Sequence, residues 1–71
     1  MNEMKKIEIY DEYIKLSQFL KIADLISSGG EAKFFLSENE VKVNGIIDDR
    51  RGRKLYKGDI VEVLGSRYII C

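Results

Sequence analysis

Residues 15–45, KLSQFLKIADLISSGGEAKFFLSENEVKVNG, carry the pattern that decides the fold. Apolar residues in the first part recur at the spacing of one helix face, and these are Leu16, Phe19, Leu20 and Ala23. The spacing predicts an amphipathic helix, with Ser17 as its N-cap. The segment SSGG at residues 27–30 predicts the end of that helix, because glycines break helices, and Ser28 is placed to cap the next one.

A second short helix is predicted from about residue 31 to residue 37, with Ala32, Phe35 and Leu36 as its apolar stripe. After it, the alternating residues 41–43 predict a strand. Asn44-Gly45 then predicts a tight hairpin turn, since both residues accept positive φ, and Ile46-Ile47 forms the returning strand. This order predicts a helical hairpin followed by a small sheet.

The flanking segments extend that sheet. Residues 5–10 alternate polar and apolar side chains and predict an N-terminal strand. Residues 48–53 predict a polar loop and residues 57–59 a turn. A strand is expected at residues 60–64, a turn at Gly65-Ser66 and a closing strand at residues 67–70. The sequence therefore predicts one α+β domain over residues 1–71, with a core motif at about 14–64.

The composition excludes several kinds of chemistry. The chain has 71 residues, 12 cationic and 12 anionic side chains, no histidine and one cysteine. Without histidine, and with only Cys71, no zinc site or cysteine–histidine couple is expected. No catalytic residue, metal site or cofactor is predicted. The N-terminal residues lack the unbroken apolar run of a signal peptide or membrane span, so a cytoplasmic protein is expected.

A cationic cluster near the C-terminal end is the main functional signal. Five of the eight residues from 50 to 57 are basic, namely Arg50, Arg51, Arg53, Lys54 and Lys57. Guanidinium groups bind phosphate oxygens in pairs, and such clusters bind nucleic-acid backbones. The alternative is a solvated loop whose charge is matched by neighbouring aspartates. Most of the aromatic residues are expected in the core or at its edge, and Tyr56, set among the cations, is the one to test for stacking on a base.

The segment at residues 15–45, followed by RRGRKLYKGDIVEV at residues 50–63, resembles the S4-type RNA-binding domain, and most closely its small free-standing bacterial members of the YaaA and YbcJ kind. The resemblance rests on Leu16, Leu20, Ala32, Lys33, Val41, Val43-Asn44-Gly45 and Gly58-Asp59. It implies an S4-like α+β fold, in which a helix pair of the alpha-L motif packs on a small twisted antiparallel sheet. It also implies non-catalytic binding to structured or ribosomal RNA, most simply as a monomer.

The resemblance also implies which residues face RNA. It assigns Lys15, Gln18, Ser28, Lys33 and Asn44, and the charge pattern adds Lys21, Arg50, Arg51, Arg53 and Lys54. Gly29 replaces an arginine found in many members, so either the arginine-rich loop compensates or the affinity for RNA is weak. The hypothesis requires the cationic tips of Lys15, Lys33 and residues 50–54 to share one surface.

Two other functions fit parts of the sequence. A ubiquitin-like sulphur carrier would share the V-N-G and G-D-I-V-E-V patterns, but this chain ends in Ile-Ile-Cys rather than Gly-Gly. A protein–protein adaptor could use a sheet edge or Phe34. No membrane partner and no small-molecule substrate are predicted.

Overall fold

The computed structural model describes residues 4–71; residues 1–3, which the predicted domain includes, lie outside the described residues. The helices are α1 (Leu16–Ile22), a short 3-10 helix (Gly29–Glu31) and α2 (Ala32–Glu38). The strands are β1 (Met4–Ile7), β2 (Tyr13–Lys15), β3 (Val41–Val43), β4 (Ile46–Ile47), β5 (Lys54–Tyr56), β6 (Ile60–Val63) and β7 (Ser66–Ile70).

Five strands form the main sheet in the order β1-β7-β6-β3-β4, and β2 pairs with β5 in a separate two-stranded sheet. Neighbouring strands are antiparallel except β1 and β7, which run parallel. No hairpin joins these two strands, so chain connectivity does not impose an antiparallel direction on them. The predicted α+β fold with a helix pair on a small sheet is confirmed, but the expectation of an antiparallel sheet is wrong at one edge, where β1 and β7 make the sheet mixed.

One core joins the helices to both sheets. Leu16, Phe19 and Leu20 of α1 are completely buried, as is Ala32 of α2. They belong to one apolar cluster with inward-facing residues of the sheets, among them Val41, Leu55, Val61 and Ile70. The apolar spacing that predicted the two helices therefore also identified the faces that they bury.

The start of α1 differs from the prediction. Lys15 occupies the N-cap position, and Ser17 lies within the first turn. The N–H groups of Leu16 and Ser17 donate hydrogen bonds to the carbonyl oxygens of Arg53 and Arg51, at 2.8 and 3.0 Å. Backbone from a distant loop thus satisfies donors that a serine hydroxyl was expected to satisfy.

The connection between the helices also differs. Asp24 adopts φ 61°, and α1 ends before residues 27–30, which were expected to end it. Ser28 precedes the 3-10 helix with extended backbone, but its hydroxyl makes no capping hydrogen bond. Instead, Glu31 Oε2 accepts a hydrogen bond from the Ser27 N–H at 2.8 Å. A left-handed residue and a side-chain carboxylate therefore shape this connection.

Two tight hairpin turns have the same backbone form. The predicted turn at Asn44-Gly45 is confirmed, with φ values of 53° and 84°. In the second hairpin the turn is at Leu64-Gly65, with φ values of 50° and 77°, because Val63 pairs with Ser66. The predicted turn at Gly65-Ser66 is wrong by one residue, since a leucine gives no local signal for positive φ.

Candidate nucleic-acid interface

The loop at residues 48–54 connects β4 to β5, and we call it the arginine loop. Besides the two backbone hydrogen bonds to the start of α1, its last residue pairs with the end of β2, because Lys54 lies directly opposite Lys15. Gln18 Oε1 accepts a hydrogen bond from the Lys15 N–H at 2.9 Å. The fold therefore brings Lys54 of the arginine loop next to Lys15 and Gln18 at the start of α1. All three are predicted site residues.

Asp48 binds two arginines of this loop. Its carboxylate accepts hydrogen bonds from Arg50 Nε and Nη2 at 3.0 and 2.7 Å, and from Arg53 Nη1 at 2.8 Å. It also accepts a bond of 2.9 Å from the Arg50 backbone N–H. We call Asp48, Arg50 and Arg53 the arginine clamp; it combines two positive charges with one negative charge.

Burial differs sharply within the clamp. The Asp48 side chain is 6% exposed, whereas those of Arg50 and Arg53 are 69% and 29% exposed. Hydrogen bonds from the Arg50 side chain and backbone and from Arg53 hold the pKa of Asp48 far below its ordinary value, although burial opposes this. The Asp48 carboxylate in turn raises the pKa of Arg50. Asp48 therefore stays ionised, and Arg50 keeps a solvent-facing guanidinium in a fixed position.

Beside the clamp lies a surface groove with a volume of about 580 Å³. Its lining consists of Arg50, Gly52, Arg53, Lys54, Tyr56 and Asp59. Three of the four predicted cations of the arginine loop thus reach one concave surface. The fourth, Arg51, is exposed and contributes its carbonyl oxygen to the start of α1.

The two-stranded sheet presents a feature that sequence reasoning missed. Residues 13–15 read Tyr-Ile-Lys and residues 54–56 read Lys-Leu-Tyr, and in the antiparallel pair tyrosine faces tyrosine and lysine faces lysine. The central Ile14 and Leu55 are buried, so the flanking side chains point to the opposite face. We call Tyr13, Lys15, Lys54 and Tyr56 the Tyr–Lys platform. The sequence signal that could have indicated this pairing is that residues 13–15 and residues 54–56 have the same pattern in reverse order.

The Asn44 side chain makes structural hydrogen bonds beside the groove. Its Nδ2 donates to Asp59 Oδ1 at 3.1 Å, and its Oδ1 accepts from the Ile60 N–H at 2.9 Å. Asp59 Oδ2 also accepts from the Tyr56 N–H at 2.8 Å. The predicted RNA-facing asparagine therefore ties the β3–β4 turn to the turn that precedes β6.

The remaining predicted residues lie apart from the groove. Lys33, on α2, lines a separate depression with Leu36, Ser37 and Asp49. An adjoining depression is lined in part by Glu38, Glu40 and Asp49. Lys21 lies in the last turn of α1 and Ser28 between the helices, both exposed. Lys33 thus does not line the groove shared by Arg50, Arg53 and Lys54, so the expected single cationic surface extends over the arginine loop and Lys15 but not over Lys33, which has acidic neighbours.

A comparison with protein families matches residues 7–71 to the S4 domain. The chain belongs to the S4 domain family. It is 64% identical over 59 residues to the "Probable ribosome maturation protein RlbA" of Bacillus subtilis strain 168, covering 83% of each chain. It is 32% identical over 53 residues to the "Putative RNA-binding protein YbcJ" of Escherichia coli K12, covering 75% of this chain and 76% of that protein.

The family confirms the resemblance drawn from the sequence and gives no support to a sulphur carrier. Within residues 4–71, no helix is long and apolar enough to cross a membrane. In the same range, no three acidic or cysteine side chains are grouped so that they could hold a metal ion.

Proposed function

We propose that this S4 domain protein binds RNA without catalysing a reaction, through the surface formed by the arginine loop, the start of α1 and the Tyr–Lys platform. The observation that carries the proposal is the convergence of Arg50, Arg53 and Lys54 on one groove, with Lys15 directly opposite Lys54. Neutral overall charge does not oppose this, because a local patch decides what phosphates experience within a Debye length of about 8 Å.

The mechanism of binding follows from the side-chain types. Arginine forks engage phosphate oxygens in pairs and lysines add point charges, so the backbone of the RNA provides most of the affinity. Such contacts recognise the shape of a folded RNA more than its sequence. The arginine clamp fixes two guanidinium groups before binding, which lowers the conformational entropy lost when the complex forms.

The finer assignment uses the relatives. One is named for ribosome maturation and another for RNA binding, so we propose that the partner is structured ribosomal RNA and that this protein acts as a monomer in the cytoplasm. The groove favours binding over catalysis, because its titratable side chains are arginines, a lysine, Tyr56 and an aspartate that already accepts two hydrogen bonds.

A filter-binding titration with a structured ribosomal RNA fragment, repeated over a salt series, tests the proposal. If about four phosphates are neutralised, log K should fall against log salt with a slope of about −3 to −4. The double variant Arg51→Glu with Lys54→Glu should weaken binding and reduce that slope by about 2. Lys6→Glu on β1, at the far edge of the main sheet, is the charge-reversal control.

Arg53 is a poor choice for charge reversal. Its side chain is only 29% exposed, and its guanidinium group contacts the buried Asp48 carboxylate. A glutamate there would face a buried carboxylate. Absence of binding to any structured RNA at low salt contradicts the proposal, and so does equal weakening by the Arg51→Glu/Lys54→Glu variant and the Lys6→Glu control.

A further inference from the structure

The Tyr–Lys platform presents an aromatic surface that is supported from one side. Tyr56 is 43% exposed, and its ring packs against that of Tyr13 with centroids 5.8 Å apart and planes tilted by 48°. The backbone of Tyr56 is held by the Asp59 carboxylate. A tyrosine with few rotatable bonds, supported in this way, offers a stacking surface at low entropic cost.

Among residues 4–71, the two lysines of the platform lack a negatively charged partner. Lys15 and Lys54 are cross-strand neighbours, and like charges directly opposite each other destabilise a sheet. Within the described residues neither lysine forms an ion pair. Lys54 Nζ instead lies 4.9 Å from the centroid of the Tyr13 ring. A bound anion between these two ammonium groups would relieve their repulsion.

The groove beside the platform is lined by charges of both signs, at different positions. Arg50, Arg53 and Lys54 contribute cations, whereas Tyr56 adjoins the Asp59 carboxylate through the hydrogen bond to its backbone. A phosphate is attracted to the cations and repelled by the carboxylate, so an anionic ligand with an aromatic part has a preferred orientation. The volume of about 580 Å³ lies within the range of sites for small ligands.

We propose that this surface binds one unpaired nucleotide of the RNA, with its base stacked on Tyr56 and its adjoining phosphate between Lys15 and Lys54. This inference rests on the proposed function. It adds the class of RNA that is bound, which is an RNA helix with an adjacent bulge or loop. A base within a duplex is already stacked on its neighbours, so only an unpaired base can present its face to a side chain.

Two RNA hairpins test the inference, one fully paired and one identical except for a single bulged 2-aminopurine. The protein should bind the bulged hairpin roughly 5- to 100-fold more tightly, as expected for stacking of one base, and should quench the 2-aminopurine fluorescence. Tyr56→Ala should abolish both the preference and the quenching, so that this variant binds the two hairpins with equal affinity. Tyr56→Phe should retain both.

The control is Tyr10→Ala, which removes a tyrosine that is 90% exposed and does not line the groove. Equal affinity of the unaltered protein for the two hairpins overturns the inference, whatever the stability of the variants. So does a dimer in sedimentation that dissociates in Tyr56→Ala, since a second copy would then cover the platform. If neither hairpin binds at low salt while the structured ribosomal RNA fragment does, the inference alone fails; if none of these RNAs binds, the proposed function fails as well.

Discussion

Replacing Asp48 by asparagine should destabilise the protein although the side chain keeps its size. The carboxylate is 6% exposed and accepts hydrogen bonds from two guanidinium groups and one backbone N–H. Asparagine can still accept through one oxygen, but its NH₂ group would point donors at the arginine donors. Asp48→Asn therefore removes the charge and leaves part of the arginine clamp without an acceptor.

The size of the stability loss is estimated from Arg53, the less exposed of the two arginines that Asp48 binds. A hydrogen bond between charged groups contributes about 1.5–3 kcal/mol to stability, and Arg53, at 29% exposure, retains much of that contribution. Water largely screens the exposed Arg50 side chain, so it is left out of the estimate. A free energy of unfolding lower by about 1–3 kcal/mol is expected, against a total of about 4–10 kcal/mol for a chain of this size.

Urea denaturation at pH 7 measures this loss, with Asp49→Asn as the matched control. Asp49 is the exposed neighbour of Asp48 and changes by the same atoms and charge, so its effect should stay within about 0.5 kcal/mol. Equal midpoints for Asp48→Asn, Asp49→Asn and the unaltered protein would refute the view that the clamp stabilises the arginine loop.

The RNA affinities of the same two variants distinguish two effects of Asp48, its negative charge and its fixing of the arginine side chains. Each adds one net positive charge, so attraction alone predicts tighter binding for both. If the clamp also fixes the arginines, Asp48→Asn should bind RNA roughly 2- to 10-fold more weakly, because an immobilised side chain must be ordered on binding. Tighter binding by both variants would show that Asp48 only neutralises charge.

Protonation of Asp48 at low pH should reproduce part of the stability loss caused by Asp48→Asn. The pKa of Asp48 is lowered by folding, so its stabilisation is fully present above the ordinary aspartate pKa of about 3.9 and is lost progressively as pH falls below that value. Between about pH 4 and pH 2, the free energy of unfolding of the unaltered protein should therefore fall more steeply than that of Asp48→Asn. Parallel urea–pH curves for the two proteins would contradict this.

Three further changes test the framework. Leu20→Ala, at a completely buried position, should lower the free energy of unfolding by about 2–5 kcal/mol in urea denaturation. Asn44→Ala should cost more than Asn44→Gly in the same assay, because both lose the bonds to Asp59 and Ile60 and only alanine is strained at φ 53°. Leu64→Asn should raise the melting temperature, with a gain of about 0.5–1 kcal/mol, since asparagine tolerates the φ of 50° found there; an unchanged or lower value would contradict this.

The sequence located the arginine loop but not the contacts that hold its side chains. Charge clustering found the arginine loop, because cations adjacent in sequence remain neighbours in any fold. It did not show that Arg50 and Arg53 share Asp48, nor that Asn44 is tied to Asp59. Such pairings depend on which carboxylate is buried, and local composition does not reveal burial.

The sequence by itself determined the two amphipathic helices, the Asn44-Gly45 turn and the α+β class, since these follow from spacing and from residues with special φ. Only the tertiary structure decided that β2 pairs with β5, that loop carbonyls cap α1 and that tyrosines and lysines form one platform. These contacts join segments far apart in the chain. Their formation depends on packing around a shared core, which no local pattern encodes.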